Sequence, residues 1–245
     1  MEPLWLAVVL LALGGLAIVA YALRALDLKG SVVSFLFGLV VTLVGGFGWL
    51  SLMFLFTLLG IVGTRIGYER KRARRVAEDR EGERGAPNVV ANGLAATLSC
   101  VALLAEPAVP PIAAQLAFAT AVAAVSADTV ASELGSLAGG ARRILPPFPR
   151  TAIGENGSVS LPGTLAAAGA AATIAAASIP LVGIPGHLVW VPFVGGFVGC
   201  QLDSLLGATL ERDGVKPGPL TKQDVNFLAS AIPALAVIVV ASLLH

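Results

Sequence analysis

Two aspartates stand where an aspartate is costly. Asp128 lies inside an apolar run and is followed by Thr129, then by Ser132 and Glu133 about one turn on. Asp203 falls in a second run, in line with Gly195, Gly199 and Gly207, each four residues apart. Helical spacing of four puts those residues on one face, and small residues in such a stripe let a neighbouring helix approach closely. Packing accounts for the glycines, and a helix end reaching the headgroups would account for Glu133. Neither accounts for Asp128 or Asp203, because an ionisable group within an apolar helix needs a partner and marks function by default. Carboxylates gathered this way suit a hard divalent cation such as Mg2+.

A second set of residues suits phosphate. Asn88 and Asn92 are four apart where an apolar run begins. Residues 154–164 (Gly-Glu-Asn-Gly-Ser-Val-Ser-Leu-Pro-Gly-Thr) supply Asn156, Gly157, Ser158, Ser160, Gly163 and Thr164 ahead of another. Free backbone N–H groups and the helix dipole favour an anion at such a start. An ordinary capped turn explains this stretch equally well on its own. Arg142, Arg143 and Arg150 add positive charge between the two sets, and Arg84, leading into Pro87 and Asn88, is placed to reach a nucleotide. Cys100 and Cys200 lie within apolar runs and His187 and His245 stand apart, so no zinc or redox spacing is present. No Walker A, kinase, HExxH or GxSxG signature occurs.

What positions these residues follows from composition. Of 245 residues 56% are apolar and 13% charged, against about 45–50% and 25% in a soluble domain. Lipid must therefore solvate much of the surface. Apolar runs at 3–23, 31–44, 47–66, 89–105, 111–130, 161–180, 186–206 and 225–244 predict about eight transmembrane helices in a single domain spanning 1–245. The split between the second and third rests on Gly45 and Gly46, since 31–66 is too long for one ordinary helix. The expected fold class is an all-α polytopic bundle.

Charge then orients it. Arg24 and Lys29 lie in the first loop, with Arg65, Arg70, Lys71, Arg72, Arg74, Arg75, Arg80 and Arg84 around the third. The fifth holds Arg142, Arg143 and Arg150, and the seventh Arg212, Lys216 and Lys222. Together these are all sixteen Lys and Arg residues. The positive-inside rule places these loops in the cytoplasm, including a basic loop at about 67–88, and both termini outside. Only Glu2 and Glu106 of the fifteen acids fall on the outer side. With the chemistry on one face, an enzyme acting on a membrane lipid fits better than a transporter, which lines its whole path. No basic face is left over for nucleic acid. Helices four, six and eight would point N-termini at the cytoplasm, and helices five and seven would bring carboxylates there. That is the inventory of phosphoryl transfer: positioning, charge neutralisation and a bridging metal.

The segments 84–93, 128–135, 156–164 and 203–211, above all Asp128-Thr129 with Ser132-Glu133 and Gly135, resemble in order the blocks of an integral membrane family. That family includes plant phytyl-phosphate kinase. More distantly, Asp128-Thr129 with 160–166 is similar to dolichol and phytol kinases and to CDP-diacylglycerol synthases, which use CTP. The resemblance implies a CTP-dependent kinase converting an isoprenoid monophosphate to the diphosphate. Asp128, Glu133 and Asp203 would hold Mg2+ on the nucleotide, and Asn92 and the 156–164 loop would cradle phosphate oxygens. Other readings are a cytidylyltransferase making a CDP-lipid, a polyprenol kinase using the free alcohol, and a small-solute transporter. Oligomeric state, chain length and nucleotide preference are not legible in the sequence.

Overall fold

The computed structural model describes residues 3–74, 84–212 and 218–244. Arg75, Arg80 and Lys216, three of the cations used to orient the chain, lie outside the described residues. The main helices are α1 (Pro3–Ala22), α2 (Leu28–Val44), α3 (Phe47–Arg65), α4 (Tyr68–Ala73), α5 (Ala86–Val101), α6 (Pro111–Gly135), α7 (Leu161–Val182), α8 (Trp190–Thr209) and α9 (Lys222–Leu243). Seven are long and apolar enough to cross a membrane. The shorter α2, with 17 residues, sits at the lower end of spanning length, about 17–25. The protein is thus an all-α polytopic bundle.

The helix ends follow local chemistry. Asp27 caps α2 by accepting from the Gly30 N–H at 2.6 Å. The expected break between α2 and α3 is present: Gly46 has φ +89°, and a Cβ on Gly45 would stand 2.6 Å from Trp49 Cδ2. Only glycine fits both positions. Thr221 and Asp224 form a reciprocal capping box at the start of α9. α6 runs five residues past the expected end of its apolar run, so Glu133 lies within the helix.

α6 is the axis of the bundle. From Ala113 to Ala127 every residue but Gln115 is buried, and α3, α5, α7, α8 and α9 all pack on it. Alanine, threonine and serine dominate that stretch, and small side chains allow five neighbours to close in. α2 packs on α5, and α1 on α2. Successive long helices alternate in direction, so the described cations from Arg24 to Lys222 gather at one end.

One element has no counterpart in the sequence reading. Between α6 and α7 lie three short antiparallel strands, β1 (Ala141–Arg143), β2 (Arg150–Thr151) and β3 (Ser158–Val159), in the order β2-β1-β3. Arg142 pairs with Arg150 on one side and Val159 on the other. Strands of two or three residues are too short to show alternation.

Candidate active site

The acidic pair is built by the register of α6 against α8. These helices run parallel, and their contacts climb together. A Cβ on Gly195 would stand 2.6 Å from Thr120 Cγ2, one on Gly196 2.5 Å from Ala123 Cβ, and one on Gly199 2.6 Å from Ala124 Cβ. One turn further along each helix, Asp203 lies beside Asp128, and both face the same small pocket. The glycine stripe does have a packing role, and its result is to bring two carboxylates together. Two carboxyl groups this close require a proton or a cation between them.

Around the pair, α5 contributes Asn92, α6 Ala124 and Val125, and α9 Asn226, Ala229 and Ser230, enclosing a pocket with room for about one water-sized particle. Asn226, with its amide nitrogen toward the two acceptors, donates to Asp203 Oδ2 at 3.2 Å and to the Lys222 carbonyl at 3.1 Å. Asn92 Nδ2 donates to the Asn88 carbonyl at 2.8 Å and to Asn88 Oδ1 at 3.2 Å. The two asparagines are therefore neighbours in space, with Asn92 lining the pocket and Asn88 holding it. Carboxylate and carboxamide oxygens are the donor set that hard divalent cations take. Asp128 lies seven residues before the end of α6, or ~10 Å along the axis at 1.5 Å per residue. The pair thus belongs to the basic end of the bundle.

Glu133 is not part of this pair. Five residues beyond Asp128, it projects from a different side of α6, and its carboxylate is already engaged. Lys71, almost wholly buried, forms an ion pair with Glu133 Oε2. Its Nζ also donates to the carbonyls of Gly63 at 2.7 Å and Thr64 at 3.1 Å. Thr64 Oγ1 donates to Glu133 Oε1 at 2.7 Å. Glu133, expected as a third Mg2+ ligand beside Asp128 and Asp203, is instead held by Lys71 and Thr64. α4 folds back beneath α3 and delivers a buried ammonium that also satisfies carbonyls at the end of α3. Arg74 extends the link, donating to the carbonyls of Ser136 and Ala138 at 3.0 Å each. Among the described residues, no group of three His, Cys, Asp or Glu side chains closes on a common metal position.

The residues expected to cradle phosphate divide into three groups. Ser160 caps α7 by accepting from the Gly163 N–H at 3.2 Å, and the Thr164 N–H donates to the Ser160 carbonyl at 2.8 Å. Gly163 also packs on Gly135 of α6, where a Cβ would stand 3.1 Å from the Ala131 carbonyl oxygen. These three residues seat α7 against α6. Arg142 and Arg143 sit on β1, where Arg142 Nη1 donates to the Phe148 carbonyl at 3.2 Å and Arg143 lies 3.9 Å from Glu155. They belong to the small sheet, with Arg142 exposed. Asn156 and Gly157 dock on α8 at Ser204, Gly207 and Ala208, beyond the residues that line the pocket. Gly157, at φ +74°, lies against Ala208, and a Cβ there would stand 2.9 Å from the Ser204 carbonyl oxygen. Gly207 faces Gly157 N, Asn156 Cβ and Glu211 in turn. A close approach and a left-handed backbone both explain the glycine.

Arg84, placed by the sequence to reach a nucleotide, is brought by the structure to α3, beside Thr129 of α6. Its backbone is clamped beside α2: the Arg84 N–H donates to the Ala25 carbonyl at 3.0 Å, and the Asp27 N–H donates to the Arg84 carbonyl at 3.1 Å. Its guanidinium rests on Gly60 of α3, whose missing Cβ would stand 3.4 Å from both Nη atoms and 3.5 Å from Thr129 Cγ2. Arg84, Asp128 and Glu211 all have polar or electrostatic partners. Asn226 and Ser230, four apart on α9, were also missed. A polar pair at helical spacing in an apolar run was the available signal.

A helical bundle of membrane length with its ionisable groups gathered at one end defines a polytopic integral membrane protein. The chain belongs to the DUF92 family of integral membrane proteins, whose sequence profile matches residues 11–234. It is 31% identical over 224 residues to an uncharacterised membrane protein of Methanocaldococcus jannaschii, covering 89% of this chain and 86% of the other. It is 31% identical over 238 residues to an uncharacterised membrane protein of Synechocystis, covering 93% and 89%. It is also 28% identical over 239 residues to Protein PGR of Arabidopsis thaliana, covering 83% and 81%. No solved structure matches the chain.

Proposed function

We propose that this protein is a phosphotransferase acting on a membrane lipid, moving the γ-phosphoryl group of CTP to an isoprenoid monophosphate at the cytoplasmic face. An oxygen of the lipid phosphate forms the new bond to the γ-phosphorus. The bond from that phosphorus to the bridging β,γ-oxygen breaks, leaving CDP and the lipid diphosphate. A phosphate monoester already carries a nucleophilic oxygen at neutral pH, so the protein needs positioning and charge neutralisation more than a strong base.

The observation that carries this reading is Asp128 and Asp203 facing one small pocket, with Asn92, Asn226 and Ser230 on its wall, at the basic end of the bundle. Mg2+ is commonly held by one or two carboxylates with the remaining positions filled by substrate phosphates and water. Two acids without a third ligand fit that pattern. Asp128 and Asp203 would hold the ion, with Asn226 fixing Asp203 and Asn88 holding Asn92 at the pocket wall. When bound, Mg2+ would neutralise charge developing on the transferred group. Asn156, Gly157 and Ser158 lie further along α8, from where they would reach the nucleotide phosphates. Glu133 and Lys71 support α6 rather than touch substrate.

The purified protein, CTP, Mg2+ and labelled geranylgeranyl monophosphate provide the test. A diphosphate product supports the reading. A CDP-lipid would convert it to a cytidylyltransferase, and a monophosphate formed only from the free alcohol would convert it to a polyprenol kinase. No transfer from any nucleotide, with solute uptake in proteoliposomes, would replace it with a transporter.

A further inference from the structure

The connection between α6 and α7 exposes an apolar tip where a loop facing water would carry polar residues. Between β1 and β2 the chain reads Ile144-Leu145-Pro146-Pro147-Phe148-Pro149, six apolar residues in succession. Ile144 and Leu145 are half-buried; the next four are exposed, Phe148 by 51%. The Phe148 N–H donates to the Leu145 carbonyl at 2.9 Å, and the Phe148 carbonyl accepts from Arg142 Nη1 at 3.2 Å. Those bonds hold Phe148 at φ +58°, a backbone conformation costly for a bulky residue. The turn spends that energy to display an aromatic ring outside the fold.

Behind the tip, Arg142 and Arg150 are cross-strand partners, and both are exposed. Like charges directly opposite one another destabilise a strand pair, and an anion between them removes that cost. Arg143 is engaged differently, 3.9 Å from Glu155, which also accepts from Thr151 Oγ1. The place of the sheet in the bundle indicates which anion. β3 leads from Gly157, packed on Ser204 and Ala208 near the end of α8, to Ser160, whose Oγ lies 3.1 Å from where a Cβ on Gly135 would stand at the end of α6. Three residues of strand cover ~10 Å, about the spacing of two packed helices. The strands therefore lie across the basic end rather than rising from it. Leu161, the residue after Ser160, is 73% exposed, and Leu165 64%. Apolar surface suited to lipid begins at the foot of the sheet, which puts the strands at headgroup level.

We propose that this hairpin is a membrane-interface anchor. Phe148 and its flanking prolines enter the acyl boundary of the cytoplasmic leaflet, and Arg142 and Arg150 hold the headgroups of anionic lipids beside it. The partner is the protein's own bilayer. Interfacial segments combine apolar and aromatic side chains with arginine in this way and bury the apolar part by ~5–10 Å. The opposite interface is furnished by other means: Trp5, Trp49 and Trp190 stand near the starts of α1, α3 and α8, away from the basic loops. Aromatic residues mark both interfaces of a membrane protein. All three tryptophans being at the far end, Phe148 joins the exposed Tyr21 on the basic side.

The test uses the full chain with a nitroxide label on Pro146→Cys, in nanodiscs of phosphatidylcholine with or without phosphatidylglycerol. Cys100 and Cys200 are buried and stay in place. In the anionic discs the label should be reached by oxygen more than by a water-soluble nickel chelate. That preference should fall in phosphatidylcholine alone and at high salt. Arg142→Gln and Arg150→Gln should each lower the ratio of immersed to free tip about fivefold, the loss for one arginine at an anionic surface. Phe148→Asn keeps the left-handed turn, which asparagine tolerates, and should bring the label into water. Salt and lipid composition act on a tip that keeps Phe148 and both arginines, so they decide the matter if a further variant misfolds. A label open to the chelate in both kinds of disc would overturn the proposal and leave the tip to a soluble partner. Immersion unchanged in both arginine variants would overturn it too, and a simultaneous loss of CTP–Mg2+ binding would give that pair to the nucleotide.

Discussion

Adding one methyl group at Gly199 should separate the two carboxylates. A Cβ there would stand 2.6 Å from Ala124 Cβ and 2.8 Å from the Ala229 carbonyl oxygen, whereas nonbonded heavy atoms sit best at about 3.5–4.0 Å. α8 is pinched between α6 and α9 at this point, so Gly199→Ala must move it by about 1 Å. Asp203 is one turn away on the same face and shifts with it. A displacement of about 1 Å from productive geometry costs on the order of a hundredfold in rate, and overpacking costs about 1–3 kcal/mol of stability. Gly169 on α7 has nothing within 4 Å of the same added atom, so Gly169→Ala is the matched control. The assay is phosphoryl transfer to the lipid monophosphate, read alongside thermal unfolding in detergent. If Gly199→Ala keeps the turnover and melting of the Gly169→Ala protein, the register of α6 against α8 does not set the site.

Asp128→Asn and Asp203→Asn should each abolish transfer while leaving the protein extractable and folded; wild-type turnover in either at ordinary Mg2+ removes that residue from the site. Lys71→Met strands the buried Glu133 carboxylate and should destabilise the protein by about 3–5 kcal/mol, read as a lowered unfolding temperature. Lys71→Met with Glu133→Leu should recover most of it, and no recovery would mean the pair is not the cause. A cysteine placed at exposed Arg72 on α4 should react with a membrane-impermeant reagent only from the cytoplasmic side, and labelling in intact cells would invert the orientation.

Fold class and the α2–α3 break were readable because lipid imposes a simple rule. Backbone must satisfy itself within each span, so apolar length and glycine punctuation suffice to count helices. Asp128 and Asp203 were readable for the same reason, as charges that lipid does not tolerate alone. Their being opposite one another required the register of α6 on α8, which helical spacing within each hints at but pairing between them decides. Glu133 went astray because its partner is 62 residues earlier, and nothing in the basic loop distinguishes Lys71 from the arginines around it. Ser160 and Gly163 show a different limit. Capping and close helix crossing draw on the same small polar residues that a phosphate cradle does, so composition cannot separate them. Arg84 was legible from its lead into Pro87 and Asn88, but its contact with Gly60 links two segments that no local pattern connects.

The central place of α6 bears on how the protein is made. Helices enter a membrane in order of synthesis, and α6 must wait there for three of its five neighbours, α7, α8 and α9, to follow. The spans that carry the carboxylates, Pro111–Gly135 and Gly186–Thr209, have mean hydropathies of 1.4 against 2.5 for the peripheral α1. For α6, most of which is buried, apolar content is low because protein, not lipid, is to surround it, yet lipid is what it first meets. Asp128 therefore spends part of biogenesis without Asp203 or Asn226 beside it. Chains stalled at that stage would be the natural clients of membrane quality control, and a substitution that slows arrival of α8 would lower abundance before it touched catalysis.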